Sequence, residues 1–147
     1  MPAAAFETMA LSGVPMVQAG DDIPEIILAA LAHEHITLQS GDIVVIASKI
    51  ISKSEGRSVA LDTVTPSEAA LQLAKQVDKD PRVVELILAE STRISRMRKG
   101  VLVTEHRLGF VSANSGLDAS NVDGSQKNVL LLPIDPDQSA QIIVDSL

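Results

Sequence analysis

The fold is decided by an apolar run that turns abruptly polar, Ile43-Val44-Val45-Ile46-Ala47-Ser48-Lys49-Ile50-Ile51-Ser52-Lys53-Ser54-Glu55-Gly56-Arg57. Residues 43–47 predict a buried β-strand. Residues 48–57 predict a loop, because hydroxyl and cationic side chains follow and Gly56 permits a tight turn. Hydroxyl and ammonium groups at the carboxyl end of a buried strand suit an anion, most often a phosphate. A solvated loop with ordinary surface lysines explains the same residues equally well.

Length and composition favour a folded protein that does not bind nucleic acid. The 147 residues predict a single domain, 1–147, whose core consists of Val, Ile, Leu and Ala, because aromatic residues make up 1% of the chain. Base-stacking platforms need aromatic side chains, and the net charge of −7 repels polynucleotides. Because cysteine is absent, disulfides, thiolate metal ligands and a cysteine nucleophile are excluded.

The sequence predicts no membrane association. No apolar run approaches the roughly 20 residues that a membrane-spanning helix needs. The N-terminus, Met1-Pro2-Ala3-Ala4-Ala5, lacks the basic start of a secretory signal. We therefore expect a cytoplasmic protein without a membrane partner.

Helix and strand patterns alternate irregularly, which predicts a mixed α/β fold with helices flanking a mixed sheet. Helices are predicted to follow four capping residues, each with a proline one or two positions later: Asp22, Thr65, Asp80 and Asp135. Short strands are predicted at 58–61, 93–98, 101–104, 110–113 and 129–132. The patterns GxxxxGK[ST] and GxGxxG are both absent, so neither standard nucleotide-binding loop is present.

A long polar segment, residues 113–124, is the second candidate site. It offers carboxylate, amide and hydroxyl oxygens, which are the ligands of Mg²⁺ and Mn²⁺. Asp118 and Asn121 are three residues apart and could reach one ion if the segment coils. A cluster of Asx and Gly turns explains these residues as well, because such side chains also bond to their own backbone.

Six motifs, each unspecific alone, occur in one order along the chain. They are Gly13-Val14-Pro15 with Gly20-Asp21-Asp22, the run 48–57, Pro66-Ser67-Glu68-Ala69, Ile87-Leu88-x-Glu90-Ser91, Gly109-Phe110-Val111-x-Ala113-Asn114-x-Gly116-x-Asp118-x-Ser120-Asn121, and Leu131-Leu132-Pro133-x-Asp135-Pro136-Asp137-x-Ser139-Ala140. Together they resemble the γ-glutamyl ligases of coenzyme F420 biosynthesis, the coenzyme F420-0:L-glutamate ligases. The resemblance runs from about residue 12 to the end of the sequence.

The resemblance implies a GTP-dependent ligase that forms an amide bond. In this family GTP phosphorylates the terminal carboxylate of F420-0, and the amine of L-glutamate then displaces the phosphate. The resemblance also implies a divalent metal, Mn²⁺ or Mg²⁺, with K⁺ as an optional further ion. It implies an intertwined homodimer with an unusual α/β fold.

By motif, the resemblance also assigns ligand-binding residues. Asp118 is expected to bind the metal. The residues expected to contact GTP are Val14, Pro15, Met16, Val17, Ser48, Lys53 and Asn121. The residue types agree with this assignment, because a lysine can neutralise phosphate charge and a metal bound to a carboxylate can bridge phosphate oxygens. No catalytic residue is assigned, and Lys49 and Arg57 have no predicted role.

One departure from the family pattern concerns a second metal motif. In the family, an Asp-Thr or Asp-Ser pair lies in a downstream segment that ends Gly-Arg-Pro, and this motif would follow Leu147. We therefore expect the chain to supply the GTP-binding portion of a ligase, with a separate C-terminal chain as one possible partner. Two alternatives stay open: a non-catalytic module that binds an anion or a partner, and an amide ligase for another carboxylate acceptor.

Overall fold

The computed structural model describes residues 7–119 and 128–147 and has the predicted mixed α/β class. The described helices are α1 (Ile23–His33), α2 (Ser48–Ser54), α3 (Glu68–Val77), α4 (Pro81–Ala89) and α5 (Pro136–Ser146). The described strands are β1 (Ser58–Ala60), β2 (Ser91–Arg98), β3 (Val101–His106), β4 (Val111–Ala113) and β5 (Asn128–Leu130). Short 3-10 turns lie at Leu61–Thr63 and Asn114–Gly116. Within these ranges no helix is both long and apolar enough to cross a membrane.

Three helices begin where the sequence predicts. The side chains of Asp22, Asp80 and Asp135 each accept a hydrogen bond from a backbone N–H in the first turn of α1, α4 and α5. A proline occupies the first or second position of all three helices. These positions suit proline because the N–H that it lacks would have no partner within the helix.

The predicted cap at Thr65 is wrong, and α3 begins two residues later. Ser67 is the N-cap, and its Oγ accepts a hydrogen bond from the Ala70 N–H at 3.2 Å. The backbone N–H and the hydroxyl of Ser67 both donate to Glu85 Oε2, at 2.8 and 2.6 Å. This contact between the start of α3 and the side of α4 fixes the cap at Ser67, and sequence spacing along one helix does not reveal it.

The predicted strand at 43–47 is also wrong, and the predicted loop after it begins as helix α2. Among the described residues no strand pairs with 43–47, so the hydrogen-bonded ladder that defines a strand is missing. The helix forms because Ile50 and Ile51 pack against the apolar cluster that contains Val17 and Ile143. Tertiary packing of this kind is what stabilises short helices, which are marginal in isolation.

The described strands form two antiparallel sheets. In the first sheet, β1 pairs with β5 and Val59 lies opposite Val129. In the second sheet, β3 lies between β2 and β4, and Thr104 is opposite both Ile94 and Ser112. The β1–β5 pairing is the one that matters for the site, because it places the chain that leaves α2 next to the chain that follows the 113–119 segment.

Three clusters of buried apolar side chains hold these elements together. The first lies between α3, α4 and β3, where Val77, Val84, Ile87 and Leu102 are fully buried. The second joins Val17 and α1 to α5. The third lies beside the β1–β5 sheet and contains Leu61, Val129 and Leu131. As the composition predicts, all three consist of aliphatic side chains.

Candidate functional site

An ion pair joins α2 to the predicted metal ligand. Lys49 Nζ lies 2.7 Å from Asp118 Oδ2, and the two side chains are 49% and 30% exposed. At these exposures both the ammonium group and the carboxylate can still reach a ligand. The structure therefore brings the two candidate segments of the sequence together, through a lysine that sequence reasoning left without a role.

The backbone of Asp118 is fixed by the strand beside it. The Asp118 N–H donates to the Leu130 carbonyl at 3.0 Å, and the Leu130 N–H donates to the Asp118 carbonyl at 2.8 Å. Leu130 belongs to β5, and the next residue, Leu131, donates to the Arg57 carbonyl at 3.0 Å. Asp118 is thus connected through backbone hydrogen bonds to the chain that leaves α2.

The turn before Asp118 has an unusual backbone that a buried serine holds in place. Asn114, Ser115 and Gly116 all have positive φ, at 51°, 54° and 73°. The Ser115 side chain is fully buried, and its hydroxyl bonds to Ser91 Oγ at 2.8 Å and to Thr104 Oγ1 at 3.0 Å. Positive φ is costly for residues other than glycine, so surrounding contacts must hold the turn.

The two predicted phosphate-binding residues of α2 lie on different faces of the helix. Lys53 is four residues after Lys49, so the two lysines share a face, and Lys53 is half-buried. Ser48 is rotated by about 100° from Lys49 and lines a cavity of about 690 Å³ together with Ile51 and Pro136. Lys53 therefore shares the face of α2 that carries Lys49, whereas Ser48 faces an apolar space.

The predicted GTP segment Val14–Val17 divides between two surroundings. Val14 lines a cavity of about 390 Å³ with Ala47 and Ile50, which places it beside the start of α2. Val17 is buried in the cluster with α1 and α5.

Pro15 and Met16 instead line an open cavity against α1. The same cavity is lined by Asp21, Asp22 and Glu25, whose carboxylates make it acidic. An acidic cavity disfavours a phosphate group. Asn121, the last predicted GTP contact, lies outside the described residues.

Sequence reasoning missed a second polar centre, which is organised around Glu90. Glu90 accepts hydrogen bonds from Arg57 through Oε1 at 2.8 Å and from Arg107 through Oε2 at 3.1 Å. Arg57 also donates to the Leu132 carbonyl, and Arg107 to the carbonyls of residues 133 and 134. The two arginines thus hold the chain that enters α5, which gives Arg57 a structural role.

Burial opposes ionisation of Glu90, but the two guanidinium groups outweigh it and keep the pKa of Glu90 below its usual range.

His106 completes this centre as a buried neutral ring. Its Nδ1 accepts a hydrogen bond from the Leu108 N–H at 3.0 Å, so we assign the ring proton to Nε2. Nε2 lies 3.3 Å from Glu90 Oε2 and has no hydrogen-bond partner among the described residues. Burial lowers the pKa of His106; Glu90 opposes this effect, and Arg107 and Arg57 add to it.

The described residues fit a divalent metal only in part. Outside residues 1–6 and 120–127, no group of three or more His, Cys, Asp or Glu side chains could hold a metal ion. Asp118 offers one carboxylate, and Mg²⁺ is often bound by one or two carboxylates together with substrate phosphates. Asp118 therefore suits a metal that arrives with a phosphorylated substrate, while the described residues alone do not form a metal cage.

Comparison with known proteins gives one family for nearly the whole chain. The sequence profile described as F420-0:Gamma-glutamyl ligase matches residues 13–147. This range includes both Lys49 and Asp118, together with every described residue of the Glu90 centre.

Individual relatives agree with the family profile. The coenzyme F420:L-glutamate ligase of Methanothermobacter thermautotrophicus is 46% identical over 137 residues, covering 93% of this chain and 54% of the relative. The ligase of the same name from Methanopyrus kandleri is 42% identical, covering 91% of this chain and 52% of the relative. The ligase of the same name from Halobacterium salinarum is 39% identical, covering 92% of this chain and 53% of the relative. The chain thus spans about half the length of the curated relatives that it matches.

Proposed function

Because the chain belongs to the F420-0:γ-glutamyl ligase family, we propose that it supplies the GTP-binding portion of an enzyme that joins L-glutamate to F420-0. The observation that carries the proposal is the contact between α2 and the 113–118 turn. This contact brings Lys49 against Asp118. Lys53 follows Lys49 by four residues in α2, and residues four apart share a helix face, which supports a second cation on this side. Two cations beside a carboxylate on a fixed backbone suit a metal–triphosphate ligand, because the cations meet phosphate oxygens and the carboxylate meets the metal.

The proposed reaction has two steps. In the first, a carboxylate oxygen of F420-0 attacks the γ-phosphorus of GTP, a new P–O bond forms, the bond to the bridging oxygen breaks, and GDP leaves. In the second, the neutral amine of L-glutamate attacks the acyl carbon of the mixed anhydride. The C–O bond to phosphate breaks, inorganic phosphate leaves, the nitrogen loses a proton, and the product is an amide.

The chain's own residues contribute binding and charge to this sequence. Lys49 and Lys53 neutralise the negative charge of the phosphate oxygens. The resemblance assigns Ser48 to GTP as well, but Ser48 lines an apolar cavity on a different face of α2, so we do not include it among the phosphate contacts. The resemblance also assigns nucleotide contacts to Asn121 and to Val14–Val17. Within that segment Val14 lies beside the start of α2, whereas Val17 is buried in the apolar cluster. Mn²⁺ or Mg²⁺ bound by Asp118 would compensate charge on the phosphate groups.

A second candidate function is a module that binds GTP or another anion without catalysing ligation. The observation that favours it is the absence of a complete metal-binding cluster among residues 7–119 and 128–147. The same site could also belong to a ligase for another carboxylate acceptor. The two ligase readings differ only in the acceptor that supports GDP formation.

Thermal unfolding with GTP and Mn²⁺ tests the binding part of the proposal. A ligand present at a hundredfold excess over its Kd adds about 2.7 kcal/mol of stability, which raises the Tm of a domain of this size by roughly 5–10 °C. Lys53→Gln and Asp118→Asn should each reduce this rise. The control Lys75→Gln, which replaces an exposed lysine of α3, should leave it unchanged. No rise for the unsubstituted chain would contradict GTP binding.

Product formation separates the remaining readings. The chain is incubated with GTP, Mn²⁺, L-glutamate and F420-0, alone and with the part of a relative that the chain does not match. Release of GDP and phosphate together with the amide product supports the ligase, and GTP binding without release supports the non-catalytic module. Release with a different carboxylate, but none with F420-0, indicates another acceptor.

A further inference from the structure

Residues 43–46 form an apolar segment that the described fold leaves uncovered. Ile43 and Val45 are 86% and 88% exposed, while Val44 between them is 38% exposed and Ile46 is half-buried. This alternation of outward and inward side chains has the two-residue period of a β-strand. Exposing β-branched side chains to this extent is unfavourable, so the segment has the character of a strand without a sheet.

The backbone of the same segment has no hydrogen-bond partner among residues 7–119 and 128–147. The nearest turns end on either side of it, with the Asp42 N–H donating to Gln39 and the Ile50 N–H donating to Ala47. No backbone N–H or carbonyl of residues 43–46 is hydrogen-bonded to another described residue. A segment with bare edges is a template for another strand, because each unpaired group gains a partner when a strand is added.

Apolar cavities flank the segment. Ile43, Val44 and Ile46 line both the cavity of about 690 Å³ and the cavity of about 390 Å³. The first cavity extends to Pro136 and Val144 of α5, and the second extends to the apolar side chains of α1. A strand added here could therefore form hydrogen bonds with the backbone of residues 43–46, and its side chains could occupy the apolar cavities.

The geometry points to one occupant, an apolar β-strand with neighbouring apolar side chains. This strand would come from polypeptide that corresponds to the part of the relatives that this chain does not match. That part amounts to about half of each relative, which is enough to supply a strand and fill both cavities. A second copy pairing through this four-residue edge fits less well, because it leaves the cavities empty. Such a pairing alone is also far smaller than the interface of about 1,200 Å² or more that a stable complex buries.

The test measures binding and amide exchange together. The unmatched part of the Methanothermobacter thermautotrophicus relative is co-expressed with this chain, and hydrogen exchange is followed at residues 43–46. We expect a one-to-one complex in which these amides exchange at least about tenfold more slowly than in the chain alone. Val45→Lys should weaken the complex at least about tenfold, because it places a charge in an apolar interface. Met97→Lys, a substitution at an exposed apolar residue of β2, should change it less than about twofold.

Several outcomes would overturn the proposal. They are the absence of a complex, a complex without protection of residues 43–46, and a complex that Val45→Lys and Met97→Lys weaken equally. Self-association of this chain that protects the same amides would assign the edge to a second copy. The intact relative gives a check that does not depend on folding of the separate part: its amides aligned with 43–46 should also exchange at least about tenfold more slowly than those of this chain. None of these measurements requires GTP, so they are independent of the proposed ligase activity.

Discussion

Lys49 Nζ lies 2.7 Å from Asp118 Oδ2, so the carboxylate predicted to bind a metal is paired with a cation from α2. A lysine and a divalent metal compete for the same carboxylate, because both are attracted by its negative charge. In the proposed site, a bound triphosphate would give the same lysine a second anionic partner. If the proposed site is correct, Lys49 weakens the binding of metal alone and strengthens the binding of nucleotide.

We expect Lys49→Gln to strengthen Mn²⁺ binding and weaken GTP binding. Partly exposed ion pairs contribute about 0.2–1 kcal/mol, so loss of the competing cation should raise the affinity for Mn²⁺ alone by up to about fivefold. The affinity for GTP should fall, because in the proposed site Lys49 contacts a phosphate oxygen. Isothermal titration with Mn²⁺ alone and then with GTP measures both effects. Lys49→Arg, which keeps the charge, serves as the control, and unchanged or weaker Mn²⁺ binding by Lys49→Gln would refute the competition.

Glu90→Gln should destabilise the chain strongly. The Glu90 side chain is 10% exposed and is the shared carboxylate of Arg57 and Arg107, so its neutralisation leaves two guanidinium groups without their counter-charge. Removing one partner of a buried ion pair typically costs 3–5 kcal/mol, and urea unfolding should show about that loss. Glu105→Gln is the matched control, because Glu105 pairs with the exposed Arg93; its cost should stay below about 1 kcal/mol. Equal losses for the two variants would contradict the central role of Glu90.

The free energy of unfolding should fall as the pH drops below the usual histidine pKa of 6.5. In the folded chain the pKa of His106 is lowered by burial, so the unfolded chain takes up this proton first and stability rises with pH. The His106 contribution is complete above pH 6.5 and is lost as the pH falls through the folded pKa. The free energy of unfolding should therefore change by at most about 1.4 kcal/mol per pH unit because of His106.

Two measurements check this dependence. Titration of the His106 ring by NMR in the unsubstituted chain should give a pKa below 6.5. Urea unfolding of His106→Gln should lose the slope attributed to this residue, whereas His33→Gln, which replaces an exposed histidine, should retain it. A His106 pKa at or above 6.5 would be inconsistent with burial as the dominant effect.

Gly116→Ala should cost more than Gly100→Ala, although both glycines have a similar positive φ, 73° and 77°. The left-handed backbone penalises both alanines by about 1–2 kcal/mol. A Cβ at residue 116 would also lie 2.8 Å from Leu132 Cδ1, whereas nothing lies within 4 Å of a Cβ at residue 100. Because the end of the Leu132 side chain can shift, we expect an additional cost of about 1 kcal/mol. Comparison of the two urea-unfolding curves measures it, and equal costs would show that Leu132 moves aside freely.

Sequence patterns predicted the elements that depend on neighbouring residues. Asp22, Asp80 and Asp135 cap their helices as expected, because capping is a contact between a side chain and backbone two or three residues away. The strands predicted at 93–98 and 101–104 are likewise present as parts of β2 and β3, because an alternating pattern is a property of neighbouring residues. The family resemblance also came from the sequence, because ordered short motifs require no knowledge of which residues meet in space.

The failures concern features decided by distant partners. Ser67, and not the predicted Thr65, caps α3, because Glu85 of the neighbouring helix binds Ser67. Residues 43–47 have the composition of a strand but lack a partner strand among the described residues. The Glu90 centre joins residues up to 50 positions apart, from Arg57 to Arg107, and no local pattern marks them as neighbours.

For the candidate site, the sequence by itself determined the residue types: hydroxyl and cationic side chains at 48–57, and carboxylate and amide oxygens at 113–124. It could not determine which lysine meets which carboxylate. That was decided by the β1–β5 pairing, which brings the chain leaving α2 beside the chain that holds Asp118, and by the helical turn that directs Lys49 toward it. The physical reason is that side-chain chemistry belongs to single residues, whereas a distance between residues 49 and 118 exists only once backbone hydrogen bonds and apolar packing have fixed the path between them.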